Sequence, residues 1–365
     1  MRTQIQADWY SPPGATIQDA LREKKLGLGE LAVRLGQSHS NVEKLISGQL
    51  QINYDLAISL ADVIGASPRF WMQREQDYRA DQRRLTNPSV DLQKQWLSKF
   101  PVPDMMRYGW LPQSRIFEDR FKSCLNFFGV DSIPEWDVKY IAETHAVAFR
   151  SSNAFKQDLA ATFAWLRYGE LQATDINCKP WNKEKFKDAL HDIRKLTKIS
   201  DPKVFLPKLQ TILADYGVAF VVARTPNGCC ASGATRFIAQ DKAMMLVSFR
   251  YRSDDQFWFT FFHEAAHLIL HDVTHLFLEG SGLISEKEEA EANQFAQDML
   301  VPASAHPELY AASRNYRMVM RLAVRLGISP GIVVGQMEFL KIVNQKKFSF
   351  LKRRFNWDDI VSSIH

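Results

Sequence analysis

The segment from Phe257 to Leu270 most narrows what this chain can fold into. Phe257-Trp258-Phe259-Thr260-Phe261-Phe262 leads into His263-Glu264-Ala265-Ala266-His267, and Leu268-Ile269-Leu270 follows. Two histidines inside so apolar a run predict a helix buried within a domain. On an α-helix, residues four apart stand one above the other, so both imidazoles project from one face and can grip one cation. Glu264 stands beside them, where a carboxylate can accept a proton from a metal-bound water. This is the pattern of zinc chemistry, and the apolar flanks supply the buried setting that such a helix requires.

Two imidazoles do not hold a catalytic zinc ion. A third protein ligand is needed, with a fourth position left for water. His271 and His275 continue the four-residue series, but each step turns further from the metal-facing line. The better source is the acidic stretch Ser285-Glu286-Lys287-Glu288-Glu289-Ala290-Glu291-Ala292-Asn293. Ser285 followed three residues later by Glu288 is a capping box, so a second helix starts there and Glu288 already has a structural task. Ala292, Phe295, Ala296, Met299 and Leu300 mark its inner face. Extended backwards, that face brings Glu288 and Glu289 near, while Glu291 points aside. Asn293, one turn below Glu289, is placed to orient a ligand. The residues favour Glu289, with Glu291 and Glu288 as rivals. Without the zinc-type helix before it, the same stretch would read as a solvated charge run.

The N-terminal part has a different organisation. Residues 17–25, 28–35, 40–47 and 55–64 read as four short helices punctuated by Gly36, Gly48 and Gly65. Leu31-Ala32-Val33-Arg34-Leu35-Gly36 followed by Ser38-His39-Ser40-Asn41-Val42 fits a helix-turn-helix, with Ser38 as N-cap of the second helix. Charge adds little, because residues 1–85 hold 11 Lys and Arg against 10 Asp and Glu. A strong non-specific electrostatic grip on nucleic acid is not expected from that balance.

Between and beyond these regions the signals are coarser. Residues 85–112 carry Pro88, Pro101, Pro103 and Pro112 among aromatics and read as an exposed, partly packed linker. Helical apolar spacing recurs near 114–128, 154–168, 183–198 and 203–216. Residues 218–223, 235–239 and 243–249 read as short strands, with Cys229 and Cys230 in a hairpin loop. Leu322 to Gly327 repeats residues 31–36 letter for letter, and residues 308–365 hold 10 Lys and Arg against 4 Asp and Glu. A packed helical cap is the favoured reading of this tail, and a second DNA contact the alternative.

At 365 residues, 46% hydrophobic and 12% aromatic, the chain has material for two or three packed domains and is not a disordered polymer. A formal charge of +5 is mild. Cys124, Cys178, Cys229 and Cys230 show no CxxC spacing, so neither a zinc knuckle nor a redox dithiol is indicated. No apolar run approaches membrane-spanning length and no signal region opens the chain, so a cytoplasmic protein without membrane contact is expected.

Taken together, HEAAHLILH at residues 263–271, Glu289 to Ala296 and Met299-Leu300-Val301-Pro302 resemble the ImmA/IrrE family of metallo-endopeptidases. Ala148 to Ser152, Trp165 to Glu170 and Ser232-Gly233-Ala234-Thr235 resemble longer members of that family, so the likeness covers roughly residues 140–345. The resemblance implies a gluzincin-like fold, Zn²⁺ as cofactor, a third ligand at Glu289 and cleavage of a repressor protein. Pro13 to Trp71 resembles an Xre-type domain of the HigA antitoxin branch. That likeness puts His39, Ser40, Asn41 and Lys44, with the capping Ser38, at the major groove or its phosphates. It departs in having Leu28 where many such domains carry a phosphate-contacting Gln.

The expected architecture is mainly α with a small β-sheet, in α+β style. It comprises a helix-turn-helix domain at 11–84, a helical linker at 85–139, a zinc metallopeptidase domain at 140–305 and a basic helical segment at 306–365. The expected activity is peptide hydrolysis, with His263, His267 and Glu289 on zinc, Asn293 behind them and Glu264 as base. The expected partners are a DNA operator and a protein substrate, either a repressor or toxin partner or the chain itself, and the chain is expected to form a homodimer. The alternative is a repressor or antitoxin that works by binding DNA and toxin, with the peptidase fold kept as a non-proteolytic sensor.

Overall fold

The computed structural model describes residues 11–86, 90–141, 155–271, 277–278 and 285–361. The chain divides into two compact units, one of residues up to Gln95 with Asp131–Glu135, the other of Trp96–Val130 with Trp136 onward. Helices dominate and one small sheet accompanies them, which makes an α+β fold.

The first unit contains α1 (Pro13–Lys24), α2 (Leu28–Arg34), α3 (His39–Ile46), α4 (Tyr54–Ile64) and α5 (Pro68–Thr86). Their apolar faces close a core around Ile17, Leu31, Val42, Leu45, Leu60 and Trp71. Helix α1 begins at Pro13 rather than at the expected Ile17, because proline's missing N–H costs nothing in a first turn. The Ser38 and Asn53 side chains accept backbone N–H groups of Asn41 and Leu56, capping α3 and α4. Each such cap is worth about 1 kcal/mol. Gly36 takes φ 63°, the left-handed turn that lets the chain leave α2 and enter α3.

The second unit opens with the end of α6 (Val90–Leu97), then α7 (Val102–Arg107) and α8 (Phe117–Phe128); after α9 (Ile133–Trp136), most of which belongs to the first unit, comes a π-helical turn at Asp137–Ile141. Within residues 85–112 the part from Trp96 onward is packed rather than exposed. Trp96, Phe100, Val102, Met105 and Leu111 are buried, and the Phe100 ring lies 4.8 Å from Trp96 and 5.3 Å from Trp136. Pro101 and Pro103 sit at the start of α7, where proline breaks no helical hydrogen bond. Exposed residues such as Ser98, Lys99 and Arg107 alternate with the packed ones, so a peptidase that takes an extended segment would need local unfolding here.

Next come α10 (Phe155–Asp175), α11 (Lys183–Lys195), α12 (Pro202–Ala214) and the strands β1 (Val218–Val222), β2 (Gly233–Ala239) and β3 (Lys242–Val247). Then follow α13 (Asp254–Leu270), β4 (Phe277–Leu278), α14 (Glu286–Leu300), α15 (His306–Ala312), α16 (Tyr316–Leu326), α17 (Pro330–Phe339) and α18 (Trp357–Val361). The sheet order is β1-β3-β2-β4, with β1 parallel to β3 and the other pairs antiparallel. Cys229 and Cys230 therefore do not lie in a hairpin loop. They lie in the connection from β1 to β2, two strands that β3 separates. The hairpin is β2–β3; alternation shows that a segment is a strand but not which strand it pairs with.

Helix α13 packs on one face of the sheet, with the Phe261 ring 6.1 Å from Phe220 of β1. Phe257, Trp258, Phe261 and Phe262 are fully or almost fully buried, each contributing about 1.5–3 kcal/mol of hydrophobic stabilisation. Its first turn is clasped by the end of the chain. The Ser329 hydroxyl and the Arg353 N–H donate to Asp254 at 2.6 and 3.0 Å. Lys352 Nζ lies 2.7 Å from both Asp255 and Glu338. Acidic groups suit the positive end of a helix, and Lys352 balances part of their charge.

The repeated hexapeptide repeats its conformation too. Gly327 takes φ 72°, Ser329 caps α17 through Ile332 N, and the chain bends by 109° between α16 and α17. Val33 and Val324 are 81% and 78% exposed, so equivalent positions face outward in both copies. The second helices differ. Ile332, Val333, Val334 and Met337 bury most of α17 in the core. Arg353 and Arg354 donate to the backbone carbonyls of Thr197, Lys198 and Tyr251, which ties these cations to structure. The tail is a packed helical cap. No single helix among the described residues is long and apolar enough to cross a membrane.

Candidate metal centre and nucleic-acid interface

Residues His263, Glu264 and His267 of α13 are buried, with 2, 0 and 0% exposure. The two Nε2 atoms stand 3.0 Å apart, and Oε2 of Glu289 on α14 lies 3.3 Å from His263 Nε2. These three residues offer ligand atoms that all lie within 4.8 Å of one another. Bonds of about 2.0–2.1 Å in a tetrahedral site put ligand atoms roughly 3.3 Å apart, so the set fits zinc in size and in its two nitrogens and one oxygen. Burial, reinforced by His263 and His271, pushes the His267 imidazole down to about 3. It is therefore neutral near pH 7, the form that binds a metal.

The outer nitrogens of both rings are also engaged. His263 Nδ1 lies 3.1 Å from Asn293 Oδ1, an oxygen that can only accept, so this ring carries its proton on Nδ1 and turns a lone pair on Nε2 toward Glu289. His267 Nδ1 lies 2.9 Å from His271 Nδ1, and His271 Nε2 is 3.3 Å from Glu291 Oε2. The three acidic rivals thus separate by geometry. Glu288 accepts the Ser285 N–H in the capping box, Glu291 faces His271, and Glu289 joins the two histidines. His271 ends α13 as its C-cap residue, while His275 lies outside the described residues.

Strand β2 supplies what the motif does not contain. The Thr235 hydroxyl donates to Glu264 Oε2 at 3.1 Å. A Cβ added at Gly233 would fall 2.3 Å from Glu264 Oε1, so only glycine leaves room for the carboxylate beside this strand. In the sequence, Gly233 and Thr235 stand out only as part of the family-like segment Ser232–Thr235. The available hint was a glycine at a strand, which often marks the close approach of another group. The arrangement places a held, buried carboxylate beside a three-ligand metal set, as water activation at a metal requires.

On the first unit, α3 presents exposed Ser38, His39, Ser40 and Lys44 with a half-buried Asn41. Asn41 Nδ2 donates to Gln37 Oε1 at 3.0 Å, and His39 Nε2 lies 3.6 Å from Glu43. Leu28 packs against the core of the unit, which accounts for an apolar residue at that position. Cys229 is buried and its thiol is pushed up to about 11, chiefly by desolvation, which keeps it protonated and unreactive.

A buried helix with two histidines on one face, completed by a carboxylate from the next helix, defines a metallopeptidase-type region. Residues 231–336 match the family model of the IrrE N-terminal-like domain, the ImmA/IrrE type of peptidase region. A 60-residue stretch is 35% identical to the uncharacterized HTH-type transcriptional regulator YddM of Escherichia coli strain K12. That match covers 16% of this chain and 64% of the relative, so under two thirds of the relative's length is represented. The two likenesses support a chain that joins a helix-turn-helix region to an ImmA/IrrE-type region.

Proposed function

We propose that the chain is a DNA-binding regulator whose second unit is a zinc-dependent endopeptidase, cutting a repressor or other partner protein to relieve repression. The observation that carries the reading is the convergence of His263 Nε2, His267 Nε2 and Glu289 Oε2 next to a Glu264 held by Thr235. His263, His267 and Glu289 would hold Zn²⁺, which when bound supplies Lewis acidity toward water and the peptide carbonyl. Asn293 and His271 hold the two imidazoles in the tautomer whose Nε2 lone pairs face Glu289. Glu264 takes the proton of the attacking water on its carboxylate and later delivers it to the leaving amine. Thr235 keeps that carboxylate oriented from β2. The burial of Trp96, Phe100, Val102, Met105 and Leu111 argues for a partner protein over that segment of this chain as substrate. The α3 face of a dimer would bring the activity to an operator.

The test is incubation of the purified chain with Zn²⁺, single- and double-stranded DNA and candidate partner proteins, followed by mass analysis of fragments. Zinc-dependent fragments that vanish in Glu264→Gln support the reading. Fragments that persist in Glu264→Gln, or their absence across all partners and stresses, would leave the non-proteolytic repressor in its place.

A further inference from the structure

On the far side of the sheet from β2, at the edge formed by β1, lies a cavity of about 630 Å³. Strand β3 stands between β1 and β2, which puts the two strands roughly 10 Å apart. The cavity is thus separate from the carboxylate of Glu264. Its size falls in the usual range for small-molecule sites, about 300–1,000 Å³.

Three features of its lining point to one ligand chemistry. Aromatic surface comes first: Trp110 and Tyr168 line the cavity as a stacked pair, ring centres 4.5 Å apart and planes 13° apart. A cation comes second. The Arg224 guanidinium lies 5.3 Å from the Tyr108 ring centre and 5.5 Å from that of Trp357, held between two aromatic faces. Among the described residues Arg224 makes no ion pair, so the planar donors at the rim of its guanidinium face no carboxylate.

Hydrogen-bonding edges come third. Ala243 donates to Gly217 and Ala223 to Val247, so β1 uses alternate residues to pair with β3. The main-chain groups of Phe220 and Val222 therefore point to the outer edge along the cavity lining, where the Gln210 amide already donates to the Phe220 carbonyl at 3.4 Å. Gln172 adds an amide beside them.

Stacked aromatic rings, a directional polar edge and a guanidinium without an ion pair among the described residues together suit a flat heterocycle bearing an anion. A lipid tail would use neither Arg224 nor the strand edge, and inorganic phosphate would use none of the aromatic surface. We propose that this cavity binds a planar heteroaromatic anion of mononucleotide size, with the base on the Trp110 and Tyr168 side and the anion on Arg224. The second unit then carries a small-molecule site in addition to its metal centre, whatever the latter's activity.

Calorimetric titration of the full chain with AMP, GMP, adenosine and inorganic phosphate tests this. One nucleotide per chain should bind, with adenosine and phosphate each at least about tenfold weaker. Arg224→Ala changes an exposed residue and should lower nucleotide affinity about tenfold without moving the thermal melt. Thr211→Trp, at an exposed lining position, should block the cavity and remove binding. His263→Ala should leave nucleotide binding unchanged, which excludes phosphate capture by a metal. The proposal fails if neither nucleotide saturates, if Arg224→Ala binds like the parent, or if His263→Ala abolishes the signal.

Discussion

His267 Nδ1 and His271 Nδ1 stand 2.9 Å apart, one helical turn from each other at the end of α13. With His267 Nε2 turned toward His263 and Glu289, its Nδ1 proton is donated to His271. His271 then carries its own proton on Nε2 and passes it toward Glu291 at 3.3 Å. Glu291, which by helical spacing points aside from the metal set, thus orients His267 from two residues away.

That chain of contacts separates the two acidic residues experimentally. Glu289→Ala should remove most zinc binding, because two imidazoles alone do not hold the ion. Glu291→Ala should weaken it only about tenfold, as expected when an orienting partner is lost. Competition with a chromophoric chelator measures both. Normal zinc affinity in Glu289→Ala, with loss in Glu291→Ala, would reverse the roles.

Catalysis should be separable from metal binding at Glu264. Glu264→Gln should retain zinc and lose cleavage by about 100-fold or more, since the base is removed while shape is kept. Gly233→Ala should do the same more mildly, because its methyl group would displace the carboxylate at Oε1 rather than any ligand. Zinc content and fragment yield, measured on the same samples, check this. A Gly233→Ala protein that cuts at the parental rate would show that the strand does not position Glu264.

Operator binding should depend on the face of α3. Asn41→Ala and Lys44→Ala should each weaken binding, Lys44→Ala with a shallower salt dependence if its contact is to phosphate. Electrophoretic mobility shifts across a salt series measure both effects. Undiminished binding by a chain lacking residues 1–84 would place DNA recognition elsewhere.

The metal-free protein should lose stability on mild acidification. His267 is pushed down to about 3 in the fold, whereas its unfolded value is near 6.5. Below pH 6.5 the unfolded chain therefore takes up a proton that the folded one refuses, and stability falls with pH down to about 3. The slope for this one group is at most about 1.4 kcal/mol per pH unit. Urea midpoints in the presence of a chelator should drop between pH 6.5 and 5, and His267→Phe should flatten that part of the profile. Midpoints that rise on acidification would contradict the assignment of cause.

Local spacing determined much of this protein directly. The position of His263 and His267 on one helical face follows from a four-residue interval, and the Ser285–Glu288 capping box from a three-residue one. Helices α2, α3 and α4 lie where periodicity, Gly36 and Ser38 put them, because their hydrogen bonds and caps join residues three or four apart. What lay beyond that range was decided by the tertiary structure. Thr235 meets Glu264 across 29 positions and His271 meets Glu291 across 20, and no periodicity links such pairs. Strand order is equally non-local, which is why residues 223–232 resembled a hairpin loop and are instead a crossover. The clearest case is the repeated hexapeptide. Both copies build the same turn from the same local bonds, yet α3 keeps an exposed face while α17 is buried, because burial depends on what else packs there.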